Sequence, residues 1–282
     1  MIRIGIVGTG NIVGISHFHT LGLLCDGRAE ITAVYDTRMD GAREWAAQHG
    51  LNCRVCGSFE EMLDYVDAVN ICVPNAFHCD YALRAIKAGK HFLVEKPMAV
   101  QIEDCRKLAA ACAEYGKTNM VGFVYRFSNA VQQARKIVRE QIGDVYTLSA
   151  WFGGKRLADP SIDLEWRMVR KRSGSGALGD FGSHLVDLAD YVASQRYSEV
   201  NCFADTFIRE RNFGGVMTPV ENDDAAAFIA RGSNGIGSYT ASRVGMDDVM
   251  VLVTGCGGML QLSLRSPQSV TYWEKKPDGG YT

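Results

Sequence analysis

The sequence predicts an α/β Rossmann domain with a parallel, doubly wound sheet, followed by an α+β domain with a large, mostly antiparallel sheet. In the first part of the chain, short apolar strands alternate with helices, which is typical of a parallel sheet covered on both faces. Long strands dominate after a helix at residues 129–140. With 282 residues, 47% of them hydrophobic, the chain is long enough for two domains. We place the boundary between residues 124 and 125, so that residues 1–124 form the first domain and residues 125–282 the second.

Apolar runs and stop signals define the elements of the first domain. The helices that begin at residues 77 and 102 each stop before a glycine, Gly89 and Gly116, which is a C-terminal signal. Strands are predicted at residues 2–7, 30–36, 53–56, 67–73, 91–95 and 119–123, and helices at residues 12–25, 42–48, 59–65, 77–87 and 102–115.

The second domain is predicted from longer apolar strands, with one clear helix among them. Strands are expected at residues 145–152, 199–208, 224–230, 235–242, 249–255 and 270–275, and helices at residues 129–140 and 178–193.

Composition excludes several classes of partner. The formal net charge is -2 and the isoelectric point is about 6.3, so nothing favours nucleic acid or an anionic membrane surface. No apolar run approaches the roughly 18 residues of a membrane-spanning helix. The N-terminus reads as a strand rather than a signal peptide. Nine scattered cysteines favour reduced, cytoplasmic thiols, and the lone pair Cys53 and Cys56 does not predict a metal site.

A glycine turn follows the first strand and opens the first helix. Gly8 allows the tight turn, and Gly10 lets the backbone approach a pyrophosphate, whose charge lies at the helix N-terminus. Asn11 and Ile12 continue this predicted cofactor contact. Val13 stands where the fingerprint usually has a third glycine or alanine.

The second strand ends in an acid, Asp36. A carboxylate at this position accepts hydrogen bonds from the adenosine ribose and repels a 2′-phosphate, so NAD is favoured over NADP. Arg38 is close enough in sequence to leave NADP open.

Polar residues follow two further strands of the predicted parallel sheet. Pro74, Asn75 and His78 come after one strand, and Glu95 and Lys96 come after the next. Because ligands bind beyond the carboxyl ends of the strands in open α/β sheets, we expect both segments to face the cofactor.

The chain resembles the glucose–fructose oxidoreductase / inositol dehydrogenase (Gfo/Idh/MocA) family over nearly its whole length. The combination of motifs in this order is specific, although each motif alone is weak. They are the glycine turn at residues 8–13, Pro74-Asn75 with His78, Glu95-Lys96-Pro97, and the glycine-rich turn into a helix at residues 174–187.

This resemblance implies that Lys96 and His184 flank the reacting carbon, with Asp180 beside them, and that a cis peptide precedes Pro97. The residues themselves support these roles. Asp180 and His184 are spaced i and i+4, so they share one helix face. Histidine suits proton abstraction near neutral pH, and a lysine ammonium stabilises a developing alkoxide. Asp180 either orients the imidazole or binds a neighbouring hydroxyl, and Asp187 is either a supporting or a solvated residue.

Four further residues are candidates for the substrate pocket. Tyr125 and Arg126 begin the second domain, where the family often lines its pocket. The segment Glu165-Trp166-Arg167 resembles the subgroup of the family that acts on pyranoses and related polyols. A tryptophan ring can stack on a sugar ring, and an arginine can donate hydrogen bonds to its hydroxyls. Core packing is an equally weighted interpretation of Trp166.

We therefore expect an NAD(P)-dependent oxidoreductase that moves a hydride between nicotinamide and a hydroxyl carbon of a sugar, anhydrosugar or cyclitol. In such an enzyme, residues 1–124 would bind NAD(P) and residues 125–282 would bind substrate and other subunits. The alternatives are a redox-neutral sugar enzyme that retains NAD, and a non-catalytic dinucleotide or sugar sensor on the same fold. An exposed sheet face predicts a homodimer or homotetramer. Family members usually continue past a strand like that at residues 270–275, so we expect the C-terminal part to be truncated.

Overall fold

The computed structural model describes residues 1–18, 27–265 and 267–282. The chain forms two compact units, Met1–Gly122 and Phe123–Thr282. The first contains a six-stranded parallel sheet in the order β3-β2-β1-β4-β5-β6, which is the doubly wound arrangement. Its strands are β1 (Ile2–Val7), β2 (Ala29–Tyr35), β3 (Arg54–Val55), β4 (Ala68–Ile71), β5 (His91–Val94) and β6 (Asn119–Val121).

The helices of this unit agree with the predicted alternation. They are Met39–Gln48, Phe59–Leu63, His78–Lys87 and Ile102–Tyr115, with a short 3₁₀ turn Asn75–Phe77 before the third. In the predicted helix at residues 12–25, the turn Val13–His17 is π-helical and the part from residue 19 onward lies outside the described residues. Ile6 and Val7 of β1 are completely buried, as expected of the central strand of a sheet covered on both faces.

The second unit contains a seven-stranded mixed sheet in the order β15-β14-β13-β7-β12-β11-β8. Only β7 and β12 pair in parallel, so the predicted mostly antiparallel sheet is confirmed. Its strands are β7 (Val145–Gly153), β8 (Tyr197–Asp205), β11 (Ala225–Gly232), β12 (Ile236–Ser242), β13 (Asp248–Gly255), β14 (Gly258–Ser263) and β15 (Ser269–Glu274).

Two helical segments contribute to the core of this unit together with the sheet. Asn129–Ile137 continues as a turn Val138–Ile142, and a π-helical turn Leu178–Gly182 leads into the helix Ser183–Ala193. Leu185 and Leu188 of that helix are completely buried in the same cluster as residues of β7, β12 and β13. This packing anchors the helix that carries His184.

The structure corrects several predicted elements. The strand expected at residues 199–208 is β8, which ends at Asp205. The Asp224 carboxylate accepts hydrogen bonds from the main-chain nitrogens of Phe207 and Ile208, both at 2.8 Å, and this holds the chain in a turn after the strand. Sequence reasoning missed strand β14 and a hairpin of β9 (Glu210–Phe213) and β10 (Val216–Pro219). The short helices Arg156–Ala158, Trp166–Met168 and Arg170–Ser173 were also missed.

Candidate functional site

The glycine turn after β1 has the geometry that close approach of a ligand requires. Gly8 has a φ of 84°, and a Cβ there would lie 2.6 Å from the main-chain oxygen of Cys72. A Cβ on Gly10 would meet no protein atom within 4 Å. Gly8 is therefore needed for the fold, whereas Gly10 leaves open space at the start of the following helix.

The Asp36 carboxylate is held at the glycine turn. It accepts hydrogen bonds from the main-chain nitrogen of Thr9 at 2.9 Å and from the Thr9 hydroxyl at 3.1 Å. Its other oxygen accepts one from the main-chain nitrogen of Arg38 at 2.9 Å. Oδ2 thus accepts two hydrogen bonds, whereas Oδ1 accepts one from a main-chain nitrogen and a long one of 3.5 Å from the Thr37 hydroxyl. Asp36 is therefore oriented, and its Oδ1 is the atom that suits a ribose hydroxyl.

These features fit a dinucleotide. The open space at Gly10 suits a pyrophosphate, and Asp36 suits the adenosine ribose. A cavity of about 400 Å³ adjoins the turn on the side of the helix Met39–Gln48. It is lined by Thr9, Gly10, Asn11, Gly14, Ile15, Arg38, Gly41, Glu44, Trp45, Gln48 and His49.

His78 joins the ends of two neighbouring strands. Its side chain is 1% exposed, and its Nδ1 and Nε2 atoms lie 2.7 Å from the main-chain oxygen of Pro97 and 2.8 Å from that of Val73. Pro74 and Asn75 lie in the same segment, with Asn75 opening the short turn Asn75–Phe77. The predicted contacts of all three residues with NAD stay predictions.

Glu95 directly follows β5, and its side chain is buried. Its Oε1 lies 2.6 Å from His17 Nε2, and its Oε2 accepts a hydrogen bond from the main-chain nitrogen of Lys96 at 3.2 Å. The Lys96–Pro97 peptide bond is cis. The contact of His17 with Glu95 was not predicted from the sequence, because only the fold brings the two residues together.

His184 lies in an aromatic environment within the second unit. Its ring centroid is 4.9 Å from that of Tyr125, 5.7 Å from that of Phe123 and 5.8 Å from that of Phe152. The side chain is buried at 6% exposure. Burial raises the pKa of Tyr125, and the negative charge of Asp180 acts in the same direction, so the phenol is neutral at ordinary pH.

Asp180 faces a buried arginine that sequence reasoning missed. Arg243, only 3% exposed, follows strand β12, and its Nη2 atom lies 3.7 Å from Asp180 Oδ2. Its Nη1 atom lies 3.3 Å from the main-chain oxygen of Arg167. Burial lowers the pKa of Arg243, while the charge of Asp180 opposes that shift. Arg243 thus places a positive charge beside the predicted catalytic carboxylate.

The glycine-rich turn before His184 is shaped by Asp223, a second residue that the sequence did not indicate. The Asp223 carboxylate accepts hydrogen bonds from the main-chain nitrogens of Gly176 at 2.6 Å and Leu178 at 2.7 Å. A Cβ on Gly176 would lie 1.8 Å from the Asp223 main-chain oxygen. Glycine is required here because the two backbones touch.

Arg126 and Asp187 form a bidentate ion pair. Arg126 Nε lies 3.0 and 2.9 Å from the two Asp187 oxygens, and Nη2 lies 2.6 Å from Oδ1. Asp187, for which two roles were open, is thus a buried partner of Arg126. The Arg126 guanidinium also lies over the Tyr191 ring.

Trp166 and Arg167 form the short turn Trp166–Met168, with the Arg167 guanidinium 4.5 Å from the Trp166 ring centroid. The preceding Glu165 pairs with Arg156 at 2.6 Å. Both predicted substrate residues therefore lie in a segment that is fixed by polar contacts on each side. Their contact with substrate stays a prediction.

Three general properties bear on the class of protein. Over the described ranges, no helix has the length and apolar character needed to cross a membrane. No cluster of three or more metal-ligating side chains occurs in the part of the chain that the structure covers. The eight cysteines among the described residues are free thiols.

A Rossmann unit with an oriented carboxylate after β2, followed by a unit that carries Asp180 and His184 on one helical segment, is typical of dinucleotide-dependent oxidoreductases. Family models confirm this class. "Oxidoreductase family, NAD-binding Rossmann fold" matches residues 2–123, and "GFO/IDH/MocA C-terminal domain" matches residues 131–261. The chain belongs to the Gfo/Idh/MocA family, and its first unit is an NAD-binding Rossmann fold.

Solved structures share the fold over the whole chain. An oxidoreductase domain protein from Kribbella flavida has a TM-score of 0.91 and 30% identity, covering 100% of this chain and 80% of that one. A levoglucosan dehydrogenase in complex with NADH and L-sorbose also has a TM-score of 0.91, with 26% identity and coverage of 100% and 79%.

Curated relatives are named for several sugar-related substrates. Levoglucosan dehydrogenase from Pseudarthrobacter phenanthrenivorans is 34% identical, over 63% of this chain and 50% of the relative. D-glucoside 3-dehydrogenase from Escherichia coli is 32% identical, over 68% and 54%. An inositol 2-dehydrogenase from Cereibacter sphaeroides is 34% identical, over 70% and 55%. The chain thus spans about half the length of the curated relatives that it matches.

Proposed function

We propose that this protein is an NAD-dependent dehydrogenase that oxidises one CH–OH group of a sugar, anhydrosugar or cyclitol. The observation that carries the proposal is the arrangement of Asp180 and His184 on one helical segment, with Arg243 beside the carboxylate and aromatic rings around the imidazole. The names of the relatives support this substrate class.

The mechanism assigns a separate task to each residue. His184 accepts the hydroxyl proton of the substrate as general base. Lys96 donates a hydrogen bond to the developing alkoxide. Asp180 orients the imidazole or accepts a hydrogen bond from a neighbouring hydroxyl. The nicotinamide of NAD supplies the hydride acceptor.

NAD is proposed as the cofactor in preference to NADP. Asp36 presents a carboxylate at the end of β2, where it would repel a 2′-phosphate. Gly8, Gly10, Asn11 and Ile12 would hold the pyrophosphate.

The residues predicted to bind substrate suit a polyhydroxylated ring. Tyr125, Trp166 and Arg167 offer an aromatic face and hydrogen-bond donors of the kind that bind such rings. Arg126 is engaged by Asp187, so we assign it to orienting this region as well as to substrate contact. Net oxidation is proposed rather than redox-neutral chemistry because the three named relatives are dehydrogenases.

The second unit is proposed to mediate self-association as well as substrate binding. On the sheet face turned away from the buried core, Ile229 and Leu252 are exposed, and so is Phe203 on the edge strand β8. A shallow cavity of about 360 Å³ on the same face includes Trp151 and Leu252. A second copy of the chain would remove this apolar surface from water. Light scattering that found only monomers at micromolar concentration would contradict this self-association.

Because the eight described cysteines are free thiols, we also propose a cytoplasmic location.

Absorbance at 340 nm tests the activity, with NAD and a panel of pyranoses, anhydrosugars and inositols. A sustained rise with one class of compound, slowed by about 10²–10³-fold in Lys96→Met, is the expected result. A flat trace with NAD retained through purification would instead indicate a redox-neutral enzyme. A flat trace without retained NAD would indicate a binding protein.

A further inference from the structure

Each of the two residues that flank Lys96 contacts a buried histidine from another segment of the first unit. His17 contacts the Glu95 carboxylate, and His78 contacts the main-chain oxygen of Pro97. We propose that His17 and His78 are positioning residues that fix the main chain on both sides of Lys96. The inference rests on the proposed function, in which Lys96 stabilises the reacting oxygen.

The first contact links Lys96 to the helical turn that follows the glycine turn. His17 and Glu95 are 7% and 8% exposed, and the His17 Nε2 to Glu95 Oε1 distance is 2.6 Å. The second carboxylate oxygen accepts a hydrogen bond from the Lys96 main-chain nitrogen. A Cβ on Gly122 would lie 3.3 Å from Glu95 Oε1, so glycine at this position leaves room for the carboxylate beside His17. The carboxylate therefore transmits the position of His17 directly to the Lys96 backbone.

The second contact links the other side of Lys96 to the end of β4. Both ring nitrogens of His78 face main-chain oxygens, those of Pro97 and Val73. A protonated imidazole donates to both oxygens, whereas a neutral one donates to a single oxygen. Burial lowers the pKa of His78, and the two carbonyl contacts act in the opposite direction. The His78 ring is 1% exposed and lies between the segments that contain Val73 and Pro97, so it fixes the distance between them.

The position of the Lys96 ammonium depends on a fixed main chain because the lysine side chain is flexible. Its ammonium is carried on a flexible four-carbon stem, so its reach depends on where the main chain holds Cα. A misplacement of about 1 Å in a reacting group can cost about 10²-fold in rate. Each histidine holds one neighbour, so the loss of either histidine should loosen Lys96 without removing it.

The test uses His17→Ala and His78→Ala, each in the native chain and in the Lys96→Met background. In the native chain we expect kcat to fall by about ten- to a hundredfold, the scale of such a misplacement. In the Lys96→Met background we expect little further loss, because residues that act through one group are not additive. His17→Gln, which keeps an N–H donor, should restore most of kcat. His91→Ala, at the other end of β5, is the matched control and should leave kcat unchanged.

Equal losses of kcat in both backgrounds would overturn the proposal, because the histidines would then act without Lys96.

A second measurement does not need turnover. Lysines methylated with ¹³C give an NMR resonance for Lys96, assigned by its absence in Lys96→Met. This resonance should shift in His17→Ala and His78→Ala but not in His91→Ala. An unmoved resonance would overturn the positioning role, whereas a shifted resonance in a protein that oxidises no substrate would refute only the proposed function.

Discussion

Arg243 Nη2 lies 3.7 Å from Asp180 Oδ2. Arg243 directly follows strand β12, which begins more than fifty residues after Asp180 in the chain. The arginine is buried, so its charge is weakly screened and acts strongly on the carboxylate. The pair therefore sets the orientation and charge of the group next to the predicted base.

Arg243→Met should lower kcat/KM by about ten- to a hundredfold, or about 1.4–2.7 kcal/mol, the scale expected for the loss of one buried charge contact. The cause is that Asp180 loses its buried cationic neighbour. Steady-state kinetics with the substrate found in the 340 nm panel measures the effect. Arg231→Met, which changes an exposed arginine on β11, is the control and should behave as the native protein. Unchanged kcat/KM in Arg243→Met would show that the pair has no part in the reaction.

His184→Asn should reduce the rate of hydride transfer by about 10²–10⁴-fold, the usual contribution of general acid–base catalysis. The Kd for NAD should hardly change, because His184 belongs to the second unit. Single-turnover kinetics measures the rate, and added imidazole should restore part of it. Turnover comparable to that of the native protein would remove His184 from the role of base.

Gly10→Ala separates cofactor contact from folding. An added Cβ meets no protein atom within 4 Å, so the free energy of unfolding should change by less than about 0.5 kcal/mol. The methyl group should nevertheless intrude on the bound pyrophosphate and raise the Kd for NAD at least about tenfold, since close backbone approach is lost. Isothermal titration and thermal unfolding measure the two quantities. Gly57→Ala, at a turn far along the chain, should change neither. Unaltered NAD affinity in Gly10→Ala would mean that the pyrophosphate binds elsewhere.

Asp36→Ser should reverse part of the preference for NAD. Loss of a charge-assisted hydrogen bond of about 1.5–3 kcal/mol should weaken NAD binding by roughly ten- to a hundredfold. NADP binding should strengthen because a repulsive charge is gone and Arg38 is nearby. The ratio of the two dissociation constants is the measurement, and Arg38→Ala in the same background should cancel the gain. A ratio equal to that of the native chain would contradict the role of Asp36.

The sequence predicted the fold class and most elements because each depends on local apolar runs and turn residues. The strands β1 and β5 and the helix Ile102–Tyr115 agree with prediction to within one residue at each end. Strand β8 was predicted to end at residue 208 instead of Asp205, because the turn that ends it depends on Asp224, a residue that approaches only in the folded chain.

In the candidate site, too, the residues marked by local sequence signals were predicted and those that depend on long-range contacts were not. Asp180 and His184 were predicted together because their spacing places them on one helix face. Arg243 and Asp223 were missed because nothing local marks a buried arginine or a carboxylate that accepts from distant backbone nitrogens. Their contacts arise only when β12 and the loop before β11 pack beside the glycine-rich turn.

The most direct test of the central claim follows the hydrogen itself. A substrate identified in the panel would be prepared with deuterium on the carbon to be oxidised, and the nicotinamide product would be analysed by mass spectrometry after a single turnover. The account predicts NADH that carries one deuterium, formed at a rate greatly reduced in His184→Asn. Oxidised product with no deuterium in the nicotinamide, or no oxidation of any polyol with NAD bound, would contradict it.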